Sequence, residues 1–346
     1  MRTRFGLLFV FLAFVSSAQA LEAGSPPVLS PEEDQAKAAH LSAQVLTYYH
    51  YKKVPLDDAL SVKITDHYID SLDPDRSFFL QSDIDHFMAN SDKIDDAIYG
   101  EDLTIPFAIF NVYDQRVVER LNYAKDLLKK GFDFSQNEEY TVMRDKEPWP
   151  KSEAESQELW RKRVKNDWLR LKLAGTPDAT IRATLDKRYA NSQARAYKYK
   201  SDDVFQTFMN AYTTAIEPHT DYFGVAAASD FDISMKLSLV GIGAVLQERD
   251  EYTTIRELVA GGPAQLSGQL AAGDRIVGVA QGKDGPMVDV VGTRVNEVVK
   301  LIRGEKDTVV RLDILPSDAG LDGKHRLITL VRDNISLEKQ AAKKSV

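Results

Sequence analysis

Apolar and polar positions alternate with the period of an α-helix through most of the first two thirds of the chain. Over residues 32–222, apolar side chains recur three and four positions apart, which is the spacing of one helix face. The first such stripe predicts a helix that ends before a proline at position 55. Its members are Leu41, Val45, Leu46 and Tyr49.

Capping and turn signals divide this region into further helices. Asp57 and Asp58 begin a second helix that ends near Leu72, and Ser82 is expected to cap the next one. A longer helix stops at Gly131, after two lysines that suit the negative end of a helix. The residues expected on the inner faces are Ile84, Phe87, Met88, Ile94, Phe107, Phe110, Val117, Leu121 and Leu128. The pattern therefore predicts an all-α domain.

Short apolar runs between glycine-rich turns replace the helical pattern in residues 223–316, with the core of the new pattern at 236–314. Within it, Gly241-Ile242-Gly243-Ala244 stands directly before the apolar run Val245-Leu246. Such a turn can leave successive backbone N–H groups unpaired and directed at one point, which suits a carboxylate. Because glycine has no Cβ atom, a ligand could approach the main chain closely here.

A second apolar stripe, closed by Gly304, predicts a helix beside these strands. We expect Val295 and Val299 to face the core, and Val298 and Ile302 to lie nearer a groove between helix and strand. Taken singly, a glycine turn is also typical of a simple hairpin, and a valine stripe is also typical of an ordinary core.

The order of these pieces resembles a bacterial PDZ domain: GIGAVL, then AGGPAQLSG, then AAGDRIVGV, then the groove helix. The fold class expected is α+β multidomain, with an all-α helical domain followed by a PDZ-like β/α domain. PDZ domains bind extended C-terminal peptides as an added strand, with the terminal carboxylate held by loop amides. The resemblance implies these peptide-binding residues: Gly241, Ile242, Gly243, Ala244, Val245, Leu246, Val295, Val298, Val299 and Ile302.

The first twenty residues have the features of a secretory signal peptide. Arg2 and Arg4 precede an apolar run that is too short to span a bilayer, and a small-x-small site follows it. Cleavage is expected between Ala20 and Leu21, and residues 21–31 would form a short tether. The pattern predicts export to the periplasm without an integral membrane span.

Composition excludes several classes of function. The chain has no cysteine, so disulfides, a lipid-anchored N-terminus and thiol chemistry are not expected. The net charge is −8, and loss of Arg2 and Arg4 would change it to −10, which argues against nucleic acid or an anionic membrane as partner.

His219 and Asp221 lie close in sequence, but a structural role is favoured for them because no serine motif or second histidine is near. No metal or other cofactor is expected.

The whole pattern resembles the tail-specific proteases, also called carboxy-terminal processing peptidases. The most specific likenesses are the junction Pro218-His219-Thr220-Asp221-Tyr222-Phe223, the turn at Gly241 and the strand end Leu330-Val331-Arg332-Asp333. The resemblance implies a serine peptidase that trims or degrades periplasmic proteins with apolar C-terminal tails. It also leaves open an adaptor lipoprotein as partner.

In that family a core with a serine nucleophile and a lysine base follows the PDZ domain. Here residues 317–346 are expected to hold only the last PDZ strand and the start of a link, with Ser336 and Ser345 in a charged helical tail. No catalytic residue is therefore assigned. A trypsin-like plan also fails, because the region before the PDZ pattern is helical and lacks the nucleophile motif.

Three hypotheses remain from the sequence. The chain is the substrate-recognition part of a tail-specific protease that is cut short before its core; or it is a non-catalytic periplasmic PDZ adaptor; or it is a structural helical protein with an incidental PDZ domain. The nucleotide sequence beyond codon 346 would separate the first two.

Overall fold

The computed structural model describes residues 25–236, 238–249, 252–319 and 323–336. The chain forms two compact units, Met1–Tyr222 and Phe223–Val346. The first is helical and the second contains the strands, so the predicted fold class is confirmed. The predicted cleavage site at Ala20 and Leu21 lies outside the described residues.

The first unit consists of helices joined by short turns. In the described residues they are α1 (Glu33–Tyr49), α2 (Asp58–Leu72), α3 (Gln81–Met88), the 3-10 turn η1 (Ser91–Lys93), α4 (Ile94–Tyr99), α5 (Thr104–Lys130), α6 (Glu153–Leu173), α7 (Asp178–Ala196) and α8 (Ser201–Ile216). None of the helices in this part of the chain or in the rest of the described residues has both the length and the apolar character to cross a bilayer.

The ends of these helices follow from local hydrogen bonds. The Asp57 carboxylate accepts from the N–H of Leu60 at 2.9 Å, as expected for the cap of α2. At α3 the predicted cap was wrong: the helix begins at Gln81, and the Asp83 carboxylate accepts from the N–H of Leu80 at 2.9 Å. Gly131 ends α5 as predicted, with φ +74°, a conformation that favours glycine.

Two hydrophobic cores fill the helical unit, and α5 contributes to both. The first packs α1, α2, α3, α4 and α8 around the start of α5, with Ile64, Tyr68, Phe110 and Phe208 among its buried side chains. The second packs α6 and α7 on the remainder of α5. Because α5 has 27 residues, one continuous helix spans both cores and joins them.

A buried carboxylate organises the turn after α2. Asp73 is fully buried and accepts from the N–H groups of Ser77, Phe78 and Phe79 at 2.8, 3.0 and 3.1 Å. The indole N–H of Trp149 donates to the same carboxylate at 3.1 Å. This one side chain therefore holds the turn and the segment before α6 together. Four donors compensate for the loss of its hydration.

The second unit begins with a helix and continues as strands. Its elements are α9 (Val225–Lys236), β1 (Ser238–Gly241), β2 (Ala244–Arg249), β3 (Tyr252–Leu258), α10 (Pro263–Leu266), β4 (Arg275–Gln281), β5 (Val288–Asp289), α11 (Val295–Ile302), β6 (Val309–Leu315), β7 (Arg326–Val331) and β8 (Asp333–Ser336). The larger sheet has the order β2-β3-β4-β6-β7, with β5 beside β4, and β1 pairs with β8 in a separate antiparallel ribbon. α11 packs against β2 and β4.

Asp114, on α5, makes the stability of the helical unit depend on pH. It is 2% exposed, and neither carboxylate oxygen has a hydrogen-bond partner among the described residues, so burial raises its pKa to about 7. In the unfolded chain the pKa would be near 3.9. Between about pH 4 and pH 7 the folded state thus binds more protons, and stability falls as pH rises through this window. We expect Asp114→Asn to remove this decline and to stabilise the helical unit by up to about 4 kcal/mol above pH 7.

Urea unfolding followed by tryptophan fluorescence measures this effect, since all three tryptophans, Trp149, Trp160 and Trp168, lie in the helical unit. Asp126→Asn is the matched control, because Asp126 is exposed on the same helix. The control should keep the pH dependence of the parent chain. An Asp114→Asn variant that still lost stability between about pH 4 and pH 7 would contradict the assignment.

Candidate peptide-binding site

The strand β2 has a free edge. Among the strands in the described ranges it pairs only with β3, through an antiparallel register from Ala244 opposite Leu258 to Arg249 opposite Tyr252. An unpaired edge presents a row of backbone donors and acceptors to any extended chain that lies beside it. Val245 and Leu246 belong to this strand as predicted, and both are half-buried. Strand and helix α11 therefore flank a site where a further strand could be added.

The glycine turn before β2 is held by its carbonyl groups. The oxygen of Ile242 accepts from the N–H of Ala264, and that of Gly243 from the N–H of Val259, each at 2.8 Å. The N–H groups of Ile242 and Gly243 donate to no acceptor that the described residues provide. Two adjacent amide donors thus stand unpaired at the start of the edge strand, which is the arrangement that an anionic chain end requires.

Contacts within the protein give one reason for a glycine at position 243. Its φ is +74°, and a Cβ atom there would lie 3.0 Å from the Cα of Gly262 and 3.1 Å from the Cδ1 of Ile335. A side chain would therefore collide with the protein's own backbone. The glycine therefore serves the packing of the turn.

The orientation of α11 differs from the prediction. Val298 and Ile302 are 0% and 4% exposed and belong to the core, whereas Val295 and Val299 are half-buried at the helix surface. The prediction, which had Val295 and Val299 facing the core and Val298 and Ile302 nearer the groove, was thus the reverse of what is found. Both pairs are four residues apart on neighbouring sides of one apolar stripe, so the spacing alone could not decide which side faces the core. The half-buried pair is the one accessible to a ligand.

Arg332 fixes the end of this helix, and the sequence reasoning did not assign it a role. It is 3% exposed, and its guanidinium donates to the carbonyl oxygens of Ile302 at 2.8 Å and Leu301 at 3.1 Å. It also donates to the side-chain oxygen of Gln281 at 2.6 Å, and a Cβ on Gly304 would lie 2.9 Å from its Cζ. The sequence feature that could have indicated this role is an arginine directly after the apolar pair Leu330-Val331. It positions the groove helix against the sheet.

The other candidate groups have structural contacts. His219 is hydrogen-bonded through Nδ1 to the Glu217 carboxylate at 3.1 Å, and the Tyr51 hydroxyl donates to the same carboxylate at 2.8 Å. These contacts hold the pKa of Glu217 at about 2, with the Tyr51 hydrogen bond as the largest cause. The predicted helix around Ser336 was wrong there, because this residue ends strand β8. Ser345 lies outside the described residues.

Comparison with protein families gives two matches on this chain. Residues 42–225 match the family described as the tail-specific protease N-terminal domain. Residues 231–315 match the PDZ domain family. The first match covers more than half of the chain. The second runs from within α9 to the end of β6 and includes the glycine turn, β2 and α11.

Three known proteins illustrate these matches. The tail-specific protease of Haemophilus influenzae is 42% identical over 320 residues, which are 92% of this chain and 45% of that protein. The carboxy-terminal processing protease CtpA of Bacillus subtilis is 31% identical over 170 residues, 48% of this chain and 34% of that protein. The third is a PDZ domain of a carboxy-terminal protease from Vibrio cholerae, seen in a crystal structure in complex with peptide. Its sequence is 57% identical to the matching part of this chain. The structural match has a TM-score of 0.28 and covers 29% of this chain and 100% of that chain.

The chain spans less than half the length of these two curated relatives. Within that span, both of its units match parts found in the same class of protein. The resemblance seen in the sequence is therefore confirmed. The chain belongs to the tail-specific protease family, of which it carries the N-terminal domain followed by a PDZ domain.

Proposed function

We propose that the PDZ unit binds the apolar C-terminal tails of proteins, and that this binding selects substrates for a tail-specific serine peptidase. The observation that carries the proposal is the free edge of β2, which starts at two unpaired amide groups. A peptide added at this edge would gain main-chain hydrogen bonds along its length, and its terminal carboxylate would reach the N–H groups of Ile242 and Gly243.

The side chains around the edge support a preference for apolar tails. Leu246 packs partly on the core, while Val295 and Val299 lie half-buried on the helix that flanks the strand. An apolar terminal side chain placed between them would leave water without leaving any polar group unpaired. A charged side chain in the same place would lose hydration without a partner. Val298 and Ile302 would support this surface from the core.

The names of the relatives support the second half of the proposal. They are called tail-specific and carboxy-terminal processing proteases. Recognition by the PDZ unit would concentrate tails near a peptidase site, and the chemistry would belong to the serine and lysine core that the family resemblance implies.

We also propose that the protein acts in the periplasm, because residues 1–20 have the features of a cleavable signal peptide.

The terminal carboxylate of the ligand should contribute strongly to binding. A fluorescent peptide that ends in small apolar residues is compared with the same peptide amidated at its C-terminus. Amidation removes the charge that the two amide groups would hold, so we expect a loss of about 1.5 to 3 kcal/mol, or about tenfold or more in Kd. Fluorescence polarisation measures both affinities. Equal affinity for acid and amide would rule out the carboxylate site.

The surface of α11 should contribute through Val299. We expect Val299→Asp to weaken binding of the acid peptide by about tenfold or more, because a carboxylate would replace an apolar contact near the ligand's own charge. Asn296→Asp is the control: it makes the same change in charge at an exposed position on the same helix. The control should bind as the parent chain does. A Val299→Asp variant that folds, as judged by circular dichroism, and binds normally would remove α11 from the site.

Export should remove the first twenty residues. N-terminal sequencing of the protein from a periplasmic fraction is expected to begin at Leu21, because Ala18 and Ala20 supply the small residues of the cleavage site. Ala20→Leu should impair this cleavage, whereas Gln19→Leu, which leaves both small positions intact, should not. Recovery of intact Met1 chains from the membrane for the parent protein would contradict the proposal.

A further inference from the structure

A cavity of about 230 Å³ lies among α5, α6 and α7 within the helical unit, and no role has been assigned to it. One part of its wall is apolar and aromatic, formed by Phe78, Val117, Leu121 and Trp160. Two arginines, Arg163 and Arg195, line it as well. The volume would hold about seven water molecules at roughly 30 Å³ each. It is thus large enough for a small organic group.

The two arginines have few partners of their own. Arg163 donates through Nη1 to the Ser77 hydroxyl at 3.0 Å, and its Cζ lies 4.8 Å from the ring centroid of Trp160. Arg195 donates through Nη2 to the Ser192 hydroxyl at 2.8 Å. A guanidinium carries five N–H donors, so most of the donors on both groups stay available. Neither is within 4.0 Å of a carboxylate oxygen among the residues that the structure describes.

Three other arginines of the same helices are paired with carboxylates. Arg116 pairs with Asp83 at 2.9 Å, Arg120 pairs with Glu153, and Arg161 pairs with Glu158 at 2.7 Å. The packing of these helices thus supplies a carboxylate to three of the eight arginines on α5, α6 and α7 among the described residues. The two arginines at the cavity are without one, which is what a site for an external anion would require.

The single carboxylate in the cavity wall is already engaged. Asp167 accepts from the Tyr189 hydroxyl at 2.8 Å, and Tyr189 is 8% exposed. With two guanidinium groups and one carboxylate, the lining has a net positive charge. The surrounding helices have the same sign: α6 and α7 carry ten lysines and arginines against six acidic residues, in a chain whose net charge is −8.

We propose that this cavity binds a carboxylate attached to an apolar or aromatic group. The guanidinium of Arg163 or Arg195 would take the carboxylate in the two-donor geometry that arginine favours. The apolar group would lie against the wall formed by Phe78, Val117, Leu121 and Trp160. A bare phosphate ion fits less well, because it would leave this wall in contact with water. The ligand is either a free small acid or the end residue of a polypeptide.

Calorimetric titration of the purified chain with 3-phenylpropionate tests the proposal. We expect saturable binding of the acid at millimolar concentrations and none of the neutral 3-phenylpropionamide. Arg195→Gln and Arg163→Gln should each weaken binding by about tenfold or more, the effect of losing charge-assisted hydrogen bonds. Arg195→Gln is the cleaner variant, because Arg195 is exposed and bonded only to Ser192 in the described part of the chain.

Arg182→Gln is the matched control. Arg182 is on α7, its Cζ lies 5.9 Å from the ring centroid of Trp168, and it does not line the cavity. The Arg182→Gln variant should bind 3-phenylpropionate as the parent chain does. Equal binding by Arg195→Gln and the control, or competition by inorganic phosphate as effective as that by the acid, would overturn the proposal.

The source of the carboxylate is tested in the Val299→Asp background, to reduce binding at the PDZ unit. A peptide ending in phenylalanine that binds with the same Arg195 dependence would identify polypeptide ends as ligands. Binding of N-acetylphenylalanine without binding of the peptide would identify free acids. Because Arg195 belongs to the helical unit, failure of the PDZ site would not change this reading.

Discussion

The close approach of Gly243 and Gly262 is the constraint on which the PDZ unit depends. A Cβ on either glycine would come within 3.0 to 3.1 Å of the other's Cα, so neither position accepts a side chain without a shift of the backbone. This approach lets the turn's two carbonyl groups bond to the segment around Val259 and Ala264. The carbonyls are then used by the protein, and the adjacent N–H groups are left for a ligand. One contact between backbones thereby sets both the pair of unpaired amide groups and the start of the edge strand.

The second requirement is that the groove helix keeps its place. Val298 and Ile302 attach α11 to the core, and Arg332 holds its C-terminal end through backbone carbonyls. Burying a guanidinium among neutral acceptors costs hydration, and several hydrogen bonds offset that cost. Arg332 also lies next to β8, whose Ile335 packs beneath Gly243. The helix and the glycine turn are thus supported by the same short segment of chain.

Much of this arrangement could be predicted from sequence, and the failures have physical causes. Helix periodicity, the Asp57 cap and the stop at Gly131 were readable because each depends on a few neighbouring residues. The prediction that Ser82 caps α3 was wrong. Ser82 and Asp83 both have side chains that can accept a hydrogen bond at a helix start, and only the path of the backbone decides which one does. Helix α9 was not predicted, since its side chains are mostly exposed and form no clear apolar stripe.

The candidate site shows the same division between local and tertiary information. The glycine turn and β2 follow from local sequence, whereas the rotation of α11 depends on which side of its stripe meets the sheet. Total charge and local charge differ in the same way. A net charge of −8 argues against anionic partners, yet α6 and α7 carry a basic excess. Because salt screens charges beyond about 8 Å, an anion beside Arg163 and Arg195 experiences these nearby groups far more than the total. An exclusion drawn from net charge therefore applies to partners that contact the whole surface, and it does not extend to a cavity with its own charge.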